Sequence, residues 1–379
     1  MKKLFCTLLV VLFATASYAQ LKLPPSGGNQ KSVVTQYMGA HAYVSIHYNS
    51  PDVTSPQGQS RKGQIWGQLV PYGLNNLNFG LSSDENPSPW RAGANENTVI
   101  KLSHDMEIQG QPISAGKYGL HLIPAETGPW TLILSNNYGA WGSYYYTPEE
   151  DALRVEVTPE SSEYNEWLTF EFTDRQEDEC TVALKWDNLS IPFTVAVAGS
   201  KDIYVNYLKA QMQNAAGFSW ATRNAAANYC LQNDVNLEEA LAWQEQTISN
   251  SFFGSENVTT LQTKAGLLMK LGRSTEAIEV MQKAALHPTA SVFQVHQMGR
   301  NLIGMGQKEA ALKVFEINLE KSGDVWPVNV GLARGYSAVG NYEKALKHAK
   351  IALERAPDQL NKDNLTQAVA KLEKGEDIN

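Results

Sequence analysis

Three nine-residue windows decide the fold of the second half of the chain: residues 272–280 read GRSTEAIEV, residues 306–314 read GQKEAALKV and residues 340–348 read GNYEKALKH. Each window begins 34 residues after the one before it and carries an alanine five positions after its glycine: Ala277, Ala311 and Ala345. The spacing predicts that a helix ends at each glycine and that the next helix crosses a neighbour at the alanine. A larger side chain at that crossing would push the two helices apart.

Small residues also recur twelve positions before these alanines, on the facing side of the expected crossing: Ala265, Gly299 and Ala333. Residues 257–357 therefore resemble the tetratricopeptide repeat, whose 34-residue helix–turn–helix units stack. We expect a degenerate earlier unit at residues 220–250, with Ala240 in the small position, and a closing helix at residues 358–374. The resemblance implies an α-solenoid over residues 200–379 whose groove binds a protein or peptide partner.

The first half of the chain alternates apolar and polar residues with a period of two, as in the run Ala42, Val44, Ile46 and Tyr48. Such alternation is typical of strands with one buried and one solvated face. Eight or nine strands without crossover helices favour an antiparallel sandwich or barrel over a βαβ fold. We therefore predict two domains, a β-sandwich at residues 30–198 and the helical repeat domain at residues 200–379. A turn is expected at Asp187-Asn188, and the polar loop at residues 71–89 is long enough to be functional.

The N-terminus has the pattern of a secretory signal peptide. Two lysines precede an apolar run at residues 4–14, and Ser17-Tyr18-Ala19 supplies small residues at a cleavage position. We predict a signal peptide over residues 1–19, cleavage near Ala19 and a periplasmic or secreted protein. Beyond it, no apolar run approaches the length of a transmembrane helix. Of the two remaining cysteines, Cys180 opens a strand and Cys230 lies in a helix, so free buried thiols are favoured over a disulfide.

The composition excludes several functional classes. With 31 basic and 39 acidic residues the net charge is −8, and no basic cluster is present, so nucleic acid is not an expected partner. The sequence contains no nucleophile elbow, Walker loop or dinucleotide-binding fingerprint. No cofactor is predicted.

The most distinctive strings in the first half are KGQIWGQLVPYG at residues 62–73, WRAGANE at residues 90–96 and AGKY at residues 115–118. Together they resemble a bacterial family of exported proteins catalogued only as a domain of unknown function, over residues 33–197. The WR-x-GANE string is its specific motif. The resemblance implies the fold and the compartment of this half, and it carries no activity.

The candidate site residues cluster around that motif: Trp90, Arg91, Asn95, Glu96, His47 and His121. In one interpretation Arg91 and Glu96 pair across a turn and hold a loop in place. In the other, Arg91 binds a carboxylate or phosphate of a ligand, and Asn95 and Glu96 complete the site. A metal site built from both histidines and Glu96 is a third alternative, but without a His-x-His pair the histidines are expected at the surface and no metal is predicted.

Two functions compete. The first is an exported interaction or scaffold protein, in which the helical repeats bind a protein or peptide and the sandwich supplies a second surface. The alternative is a carbohydrate or small-ligand binding protein, or a hydrolase, with its site around Arg91, Asn95 and Glu96. The aromatic tract at residues 138–146 either stacks on a sugar or covers the end of the sandwich. The sequence favours a non-enzymatic protein and leaves its ligand, partner and oligomeric state open.

Overall fold

The computed structural model describes residues 28–379, so the predicted signal peptide lies outside the described residues. Contacts divide these residues into two compact units. We call residues 28–38 and 42–198 the β unit, and residues 39–41 and 199–379 the helical unit. Within the part of the chain that the structure describes, no helix is both long and apolar enough to cross a membrane.

The strands of the β unit are all antiparallel to their neighbours and lie in two sheets. In chain order they are β1 (Gln30–Met38), β2 (Ala42–Ser50), β3 (Thr98–Leu102), β4 (Met106–Ile108), β5 (Gln111–Ile113), β6 (Gly116–Ile123), β7 (Trp130–Ser135), β8 (Asp151–Val157), β9 (Glu160–Thr173) and β10 (Glu179–Ala196). The six-stranded sheet has the order β1-β2-β3-β6-β7-β8, and the four-stranded sheet has the order β5-β4-β10-β9. The prediction of antiparallel strands without crossover helices is confirmed.

One face of each sheet forms the core of the β unit. Val44 and Ile46 on β2 are fully buried, as the alternation predicted. Side chains of the two sheets meet, because the ring of Tyr48 on β2 lies 4.9 Å from that of Phe170 on β9. The Ser50 hydroxyl also donates a hydrogen bond of 2.7 Å to the carbonyl of Leu168. Apolar burial of this kind supplies most of the stability of a sheet pair.

The prediction of a turn at Asp187-Asn188 is wrong. Both residues lie within β10, a strand of 18 residues that pairs with β9 on each side of them. The pairing register shifts at Asp187, whose φ is +52°. A bulge uses the same left-handed backbone and polar residues as a turn, so the local sequence does not distinguish the two.

The α-helices of the described chain all lie in the helical unit. They are α1 (Ser200–Met212), α2 (Trp220–Asn233), α3 (Leu237–Ser249), α4 (Val258–Lys270), α5 (Ser274–Leu286), α6 (Val292–Gly304), α7 (Lys308–Ser322), α8 (Trp326–Ala338), α9 (Tyr342–Glu354) and α10 (Gln359–Leu372). Helices α4 and α5, α6 and α7, and α8 and α9 pack against each other as the three pairs expected from the repeat. The earlier pair is α2 and α3, and α10 is the expected closing helix.

The small residues act as the 34-residue spacing predicted. Gly272, Gly306 and Gly340 follow the ends of α4, α6 and α8 with φ between +76° and +79°, a conformation that favours glycine. The alanines five positions later are buried in the packing between helices. At the facing position of α6, a Cβ on Gly299 would lie 2.4 Å from the ring of Phe315, so the close approach requires glycine.

The two cysteines among the described residues, Cys180 and Cys230, are free and fully buried, as predicted. Burial raises the pKa of the Cys180 thiol to about 11, and also that of the Cys230 thiol to about 11. Both thiols therefore stay protonated at neutral pH and pack as small apolar groups.

Candidate functional site

The WRAGANE string forms a tight turn against β2 and β6. The backbone of Trp90 exchanges two hydrogen bonds of 2.8 Å with that of Leu122 on β6. Further along, the amide of Ala94 donates to the carbonyl of Asn49 on β2 at 3.2 Å. A Cβ at Gly93 would lie 3.1 Å from that same carbonyl, so this close backbone contact favours glycine.

Two residues of the turn that are not glycine have left-handed backbone. Ala92 has a φ of +52° and Asn95 a φ of +58°. Ala92 is also fully buried, and its carbonyl accepts a 3.0 Å hydrogen bond from the Thr98 hydroxyl. Such a conformation costs about 1–3 kcal/mol and is often found at functional sites. The surrounding contacts therefore hold this turn in place against backbone strain.

Arg91 is held by groups other than the predicted partner. Its Nη1 donates a 2.7 Å hydrogen bond to the carbonyl of Asn95, and its guanidinium lies 5.1 Å from the ring centre of Tyr144. A Cβ at Gly142 would lie 2.5 Å from Nη1, so the aromatic tract packs directly on the cation. Glu96 instead accepts from Asn49, as described below. The predicted Arg91–Glu96 pair is therefore wrong, although Arg91 does pin the turn.

The side chains of Trp90 and Arg91 line a cavity of about 570 Å³, which we call the Arg91 cavity. This volume is within the usual range for small-ligand sites. Its walls combine aromatic rings with a few polar groups: Trp90, Trp141, Tyr144, Arg91, Asn95 and Ser143. The loop at residues 71–89 supplies part of the remaining wall, and Trp141 at the wall is 52% exposed. The cavity thus places a cation beside aromatic rings.

His121 is buried, so the prediction of a surface histidine is wrong for this residue. It is 2% exposed, and its Nδ1 lies 3.0 Å from the Ser143 hydroxyl. The aromatic tract covers it, with the ring of Tyr146 centred 5.6 Å away. Burial and the nearby Arg91 lower the pKa of His121 to about 3, so the imidazole is neutral at pH 7.

His47 and Glu96 lie in a second cavity of about 260 Å³, on the face of the six-stranded sheet that carries the odd-numbered residues of β2 and β3. We call it the Lys101 cavity. Glu96 accepts a 2.8 Å hydrogen bond from Asn49 Nδ2 and lies 3.5 Å from Lys31 Nζ. The six predicted residues are thus divided between two cavities and one buried position.

Three lysines complete the Lys101 cavity and were missed in the sequence: Lys31, Lys101 and Lys117. The strand register places them on one face, because Lys31 lies opposite Asn49 on β2, and Lys101 lies opposite both Ser45 on β2 and Lys117 on β6. A search for like charges at alternate positions of the predicted strands would have listed these lysines as candidates. Their convergence needs the strand order, which the local pattern does not contain.

The residues do not form a metal centre. Among residues 28–379, no group of three histidine, cysteine or acidic side chains converges closely enough to hold an ion. The alternative built from His47, Glu96 and His121 fails because His121 is buried and bonded to Ser143. His47 and Glu96 instead line the Lys101 cavity.

The helical unit contains a third recess, of about 520 Å³, between α6, α8 and α10. We call it the repeat groove. Three of its lining residues are cations: Arg300 on α6, Arg334 on α8 and Lys371 on α10. The two arginines are 34 residues apart, so they occupy equivalent repeat positions, a signal that was present in the sequence. His296 also lines the groove, and burial, together with the two arginines, lowers its pKa to about 4 despite a hydrogen bond to the carbonyl of Pro327.

Comparison with known proteins shows similarity to one family and to several solved structures, but it does not assign an activity to this chain. Residues 29–195 match a family described as "Protein of unknown function (DUF2911)". No curated protein matches the chain.

Solved structures similar to this chain include three tetratricopeptide repeat proteins. One is from Parabacteroides merdae ATCC 43184, with 19% identity and a TM-score of 0.33, covering 45% of this chain and 65% of that chain. Another is the C-terminal part of a repeat protein from Cytophaga hutchinsonii, with 20% identity and a TM-score of 0.34, covering 47% and 66%. A thermophilic repeat protein from Thermus thermophilus has 16% identity and a TM-score of 0.31, covering 45% and 92%. The chain thus spans just under two thirds of the length of the first two. The comparisons place residues 29–195 near a family of unknown function and the chain near tetratricopeptide repeat structures.

Proposed function

We propose that this protein is an exported interaction protein that binds an acidic protein or peptide segment in the repeat groove. The observation that carries the proposal is the pair Arg300 and Arg334, at equivalent positions on α6 and α8 and lining the same recess. Among the described residues, neither arginine has an ion pair with a carboxylate. An extended acidic segment can place carboxylates at the spacing of successive helices.

The electrostatics of Arg334 supports an anionic partner. Burial and the neighbouring Arg300 lower the pKa of Arg334, and Asp377 only partly opposes them. Arg334 donates only a long hydrogen bond of 3.5 Å to the carbonyl of Ile378. A partly buried cation without a carboxylate partner is costly, and a ligand carboxylate would reduce that cost. The planar guanidinium can also donate two parallel hydrogen bonds to one carboxylate. Because part of this attraction is long-range, binding should weaken at high ionic strength.

A pull-down from envelope extract with the mature protein tests this function. The groove variant Arg300→Gln, Arg334→Gln, Lys371→Gln should lose a captured partner that the parent retains. A matched variant on the second helices of the pairs, Lys308→Gln, Lys313→Gln, Lys347→Gln, should capture it as the parent does. Equal loss in both variants would attribute binding to overall charge and contradict a specific groove. A synthetic Glu-rich decapeptide and its Gln counterpart provide the same comparison in a purified system.

The proposal includes the architecture and the compartment. We propose that the two sheets form a β-sandwich domain at residues 30–198, followed by a helical domain at residues 200–379. The contact between the rings of Tyr48 on β2 and Phe170 on β9, one from each sheet, supports it. Limited proteolysis should release a stable fragment ending near residue 198. Export to the periplasm or the medium, with cleavage near Ala19, is tested by N-terminal sequencing of the mature protein.

A second candidate function is small-ligand binding in the Arg91 cavity, with carbohydrate as the candidate ligand. The observation that favours it is the exposed Trp141 at a wall that also holds Arg91, above a strained turn. Aromatic rings stack on sugar faces, and an arginine can hold a hydroxyl or carboxylate. Trp141→Ala should then abolish binding of an oligosaccharide in calorimetry, while Trp326→Ala in the helical unit leaves it unchanged.

The buried pair of His121 and Ser143 favours binding over hydrolysis in this cavity. A general base works best with a pKa near the working pH, and the pKa of His121 is about 3. Ser143 is 1% exposed, so its hydroxyl is shielded from a substrate. The pair instead fixes the aromatic tract over β6. A hydrolytic activity lost in Ser143→Ala but retained in Arg91→Lys would contradict this interpretation.

A further inference from the structure

The Lys101 cavity concentrates positive charge in a way that costs stability. Lys101 on β3 lies directly opposite Lys117 on β6 in the antiparallel register. Like charges that face each other across strands are destabilising. Lys31 extends the same face, and the three lysines all act electrostatically on His47. If this face of the sheet were only exposed to solvent, side chains of alternating charge would make the sheet more stable.

The single carboxylate that lines this cavity is already engaged. Glu96 binds Asn49 and Lys31. Lys101 and Lys117 rest over tyrosine rings, with Nζ 5.1 Å from the centre of Tyr43 and 5.7 Å from the centre of Tyr138. Within the described residues neither has a carboxylate partner. Two ammonium groups therefore remain available to an anion.

Two buried amides add a second, independent signal. Asn49 is 2% exposed and Asn97 is 5% exposed, and both line the cavity. Each uses its amide nitrogen, Asn49 toward Glu96 at 2.8 Å and Asn97 toward the carbonyl of Asn137 at 2.9 Å. Each leaves its Oδ1 buried without a hydrogen-bond partner. Buried acceptors of this kind usually have a donor, and hydroxyl groups are suitable ones.

We propose that the Lys101 cavity binds a small hydroxylated anion, a sugar phosphate or a sugar carboxylate of about one ring. Lys101 and Lys117 bind the anionic group, and the half-exposed ring of Tyr138 packs on the face of the sugar. Hydroxyls of the ligand donate to the Asn49 and Asn97 oxygens, and because both oxygens are buried, this contact requires the cavity wall to open on binding. The volume of about 260 Å³ is below the usual range for drug-sized ligands, which limits the ligand to a single ring.

His47 is part of the same arrangement. Burial first, and then Lys101, Lys117 and Lys31, lower its pKa, so it is a neutral hydrogen-bonding group at pH 7. Its Nε2 lies 3.3 Å from the Ser45 hydroxyl, which leaves Nδ1 for a ligand. A bound anion would change the environment of this ring, which gives a local spectroscopic signal for occupancy.

Calorimetry on the mature full-length chain tests the site with four probes: glucose 6-phosphate, glucuronate, glucose and inorganic phosphate. At least one charged sugar should bind at one site per chain, at least tenfold more tightly than glucose and inorganic phosphate. The His47 ring resonances should shift on titration with that sugar. Which of the two charged sugars binds tells a phosphate ligand from a carboxylate ligand. Absence of binding by both charged sugars would overturn the proposal, and so would equal binding of glucose or inorganic phosphate.

Charge variants locate the site. Lys101→Gln and Lys117→Gln should each weaken binding about tenfold or more, since charge-assisted hydrogen bonds are lost. The matched control Lys62→Gln removes a lysine that also rests over a tyrosine, Tyr164, outside the cavity, and should bind as the parent does. Unchanged affinity in both cavity variants overturns the proposal. Loss of binding in Trp141→Ala alone would place the ligand in the Arg91 cavity and also overturn it.

Discussion

The helical unit and the β unit both hold cations without a carboxylate partner, but they arrange them differently. Arg300 and Arg334 lie one repeat apart along the groove, on successive first helices. Lys101 and Lys117 face each other across two neighbouring strands. Neighbouring strands are about 4.8 Å apart, whereas packed helices are about 8–10 Å apart. The first arrangement suits several acidic groups along a chain, and the second suits one small anion.

Arg91 shows a third arrangement, in which the cation is occupied by its own chain. A backbone carbonyl and an aromatic ring hold it, and Gly142 packs against its guanidinium. A cation fixed in this way stabilises a turn and has less capacity for a ligand. The comparison separates charges that stabilise the fold from charges that remain available to a ligand. The following variants change the packing that positions these charges, or the charges themselves.

Overpacking the repeat frame should have the largest effect. Ala311 is fully buried, and Ala311→Leu inserts three carbons at a helix crossing, which should cost about 1–3 kcal/mol of unfolding free energy. Ala370→Leu on the exposed face of α10 is the matched control and should change little. Thermal unfolding of both variants measures the difference. Equal melting temperatures for Ala311→Leu and the parent would mean that the repeat register is wrong.

Removing the cation that builds the turn should come next. Arg91→Leu keeps much of the volume but leaves the Asn95 carbonyl without its donor, so we expect a loss of about 1–3 kcal/mol in unfolding free energy. Arg273→Leu removes an exposed arginine paired with Glu276 and should leave the melting temperature nearly unchanged. Urea unfolding is the measurement. If Arg91→Leu were as stable as the parent, Arg91 would not stabilise the turn and would instead be available to a ligand.

The sequence predicts the features that depend on local spacing and fails for those that depend on which strands pair. The repeat was predictable, because a small residue with the same packing role recurs at Ala277, Ala311 and Ala345. Three occurrences at one spacing distinguish a structural repeat from a chance match. The alternation of Val44 and Ile46 likewise predicts buried strands from local spacing. The partners of Glu96 were not predictable, because Lys31 is brought to it by the pairing of β1 with β2.

The division of the predicted site into two cavities has the same cause. Glu96 is five residues from Arg91 in the sequence, but the left-handed backbone at Asn95 turns the chain between them. The two side chains then line different cavities. Proximity in sequence suggested one site, but the left-handed backbone at Ala92 and Asn95 lies between the two residues, and the residue types alone do not predict it.

Glu96→Gln should have a smaller effect that depends on pH. Burial raises the pKa of Glu96, but its backbone hydrogen bond, Lys31 and Asn49 together lower it below its ordinary value of 4.5. A carboxylate with a lowered folded pKa contributes stability above the unfolded pKa, and the contribution is lost as pH falls through the folded pKa. Since the side chain is 43% exposed, the parent should exceed Glu96→Gln by less than about 1 kcal/mol at pH 7.

That difference should shrink in melts as the pH falls below 4.5, and disappear once the pH is below the lowered pKa of Glu96 in the folded protein, where the parent carboxyl is protonated. Asn49→Ala serves as a control, because it removes the hydrogen bond to Glu96 without removing the charge. A difference that grows as the pH falls would contradict the lowered pKa of Glu96.

The smallest expected effect is the repulsion between the two facing lysines. Single substitutions mix this repulsion with the loss of each lysine's contact to a tyrosine ring, so a double-mutant cycle of Lys101→Gln and Lys117→Gln is needed. The cycle should give an unfavourable coupling of about 0.2–1 kcal/mol in unfolding free energy at low ionic strength. One molar salt should remove most of it, because the Debye length is then about 3 Å. A coupling of zero at low salt would mean that the two ammonium groups have moved apart. Lys101 and Lys117 would then no longer differ from Arg300 and Arg334 in how closely their charges approach. A favourable coupling would imply an anion already bound between them, which dialysis into fresh low-salt buffer before the measurement should reverse.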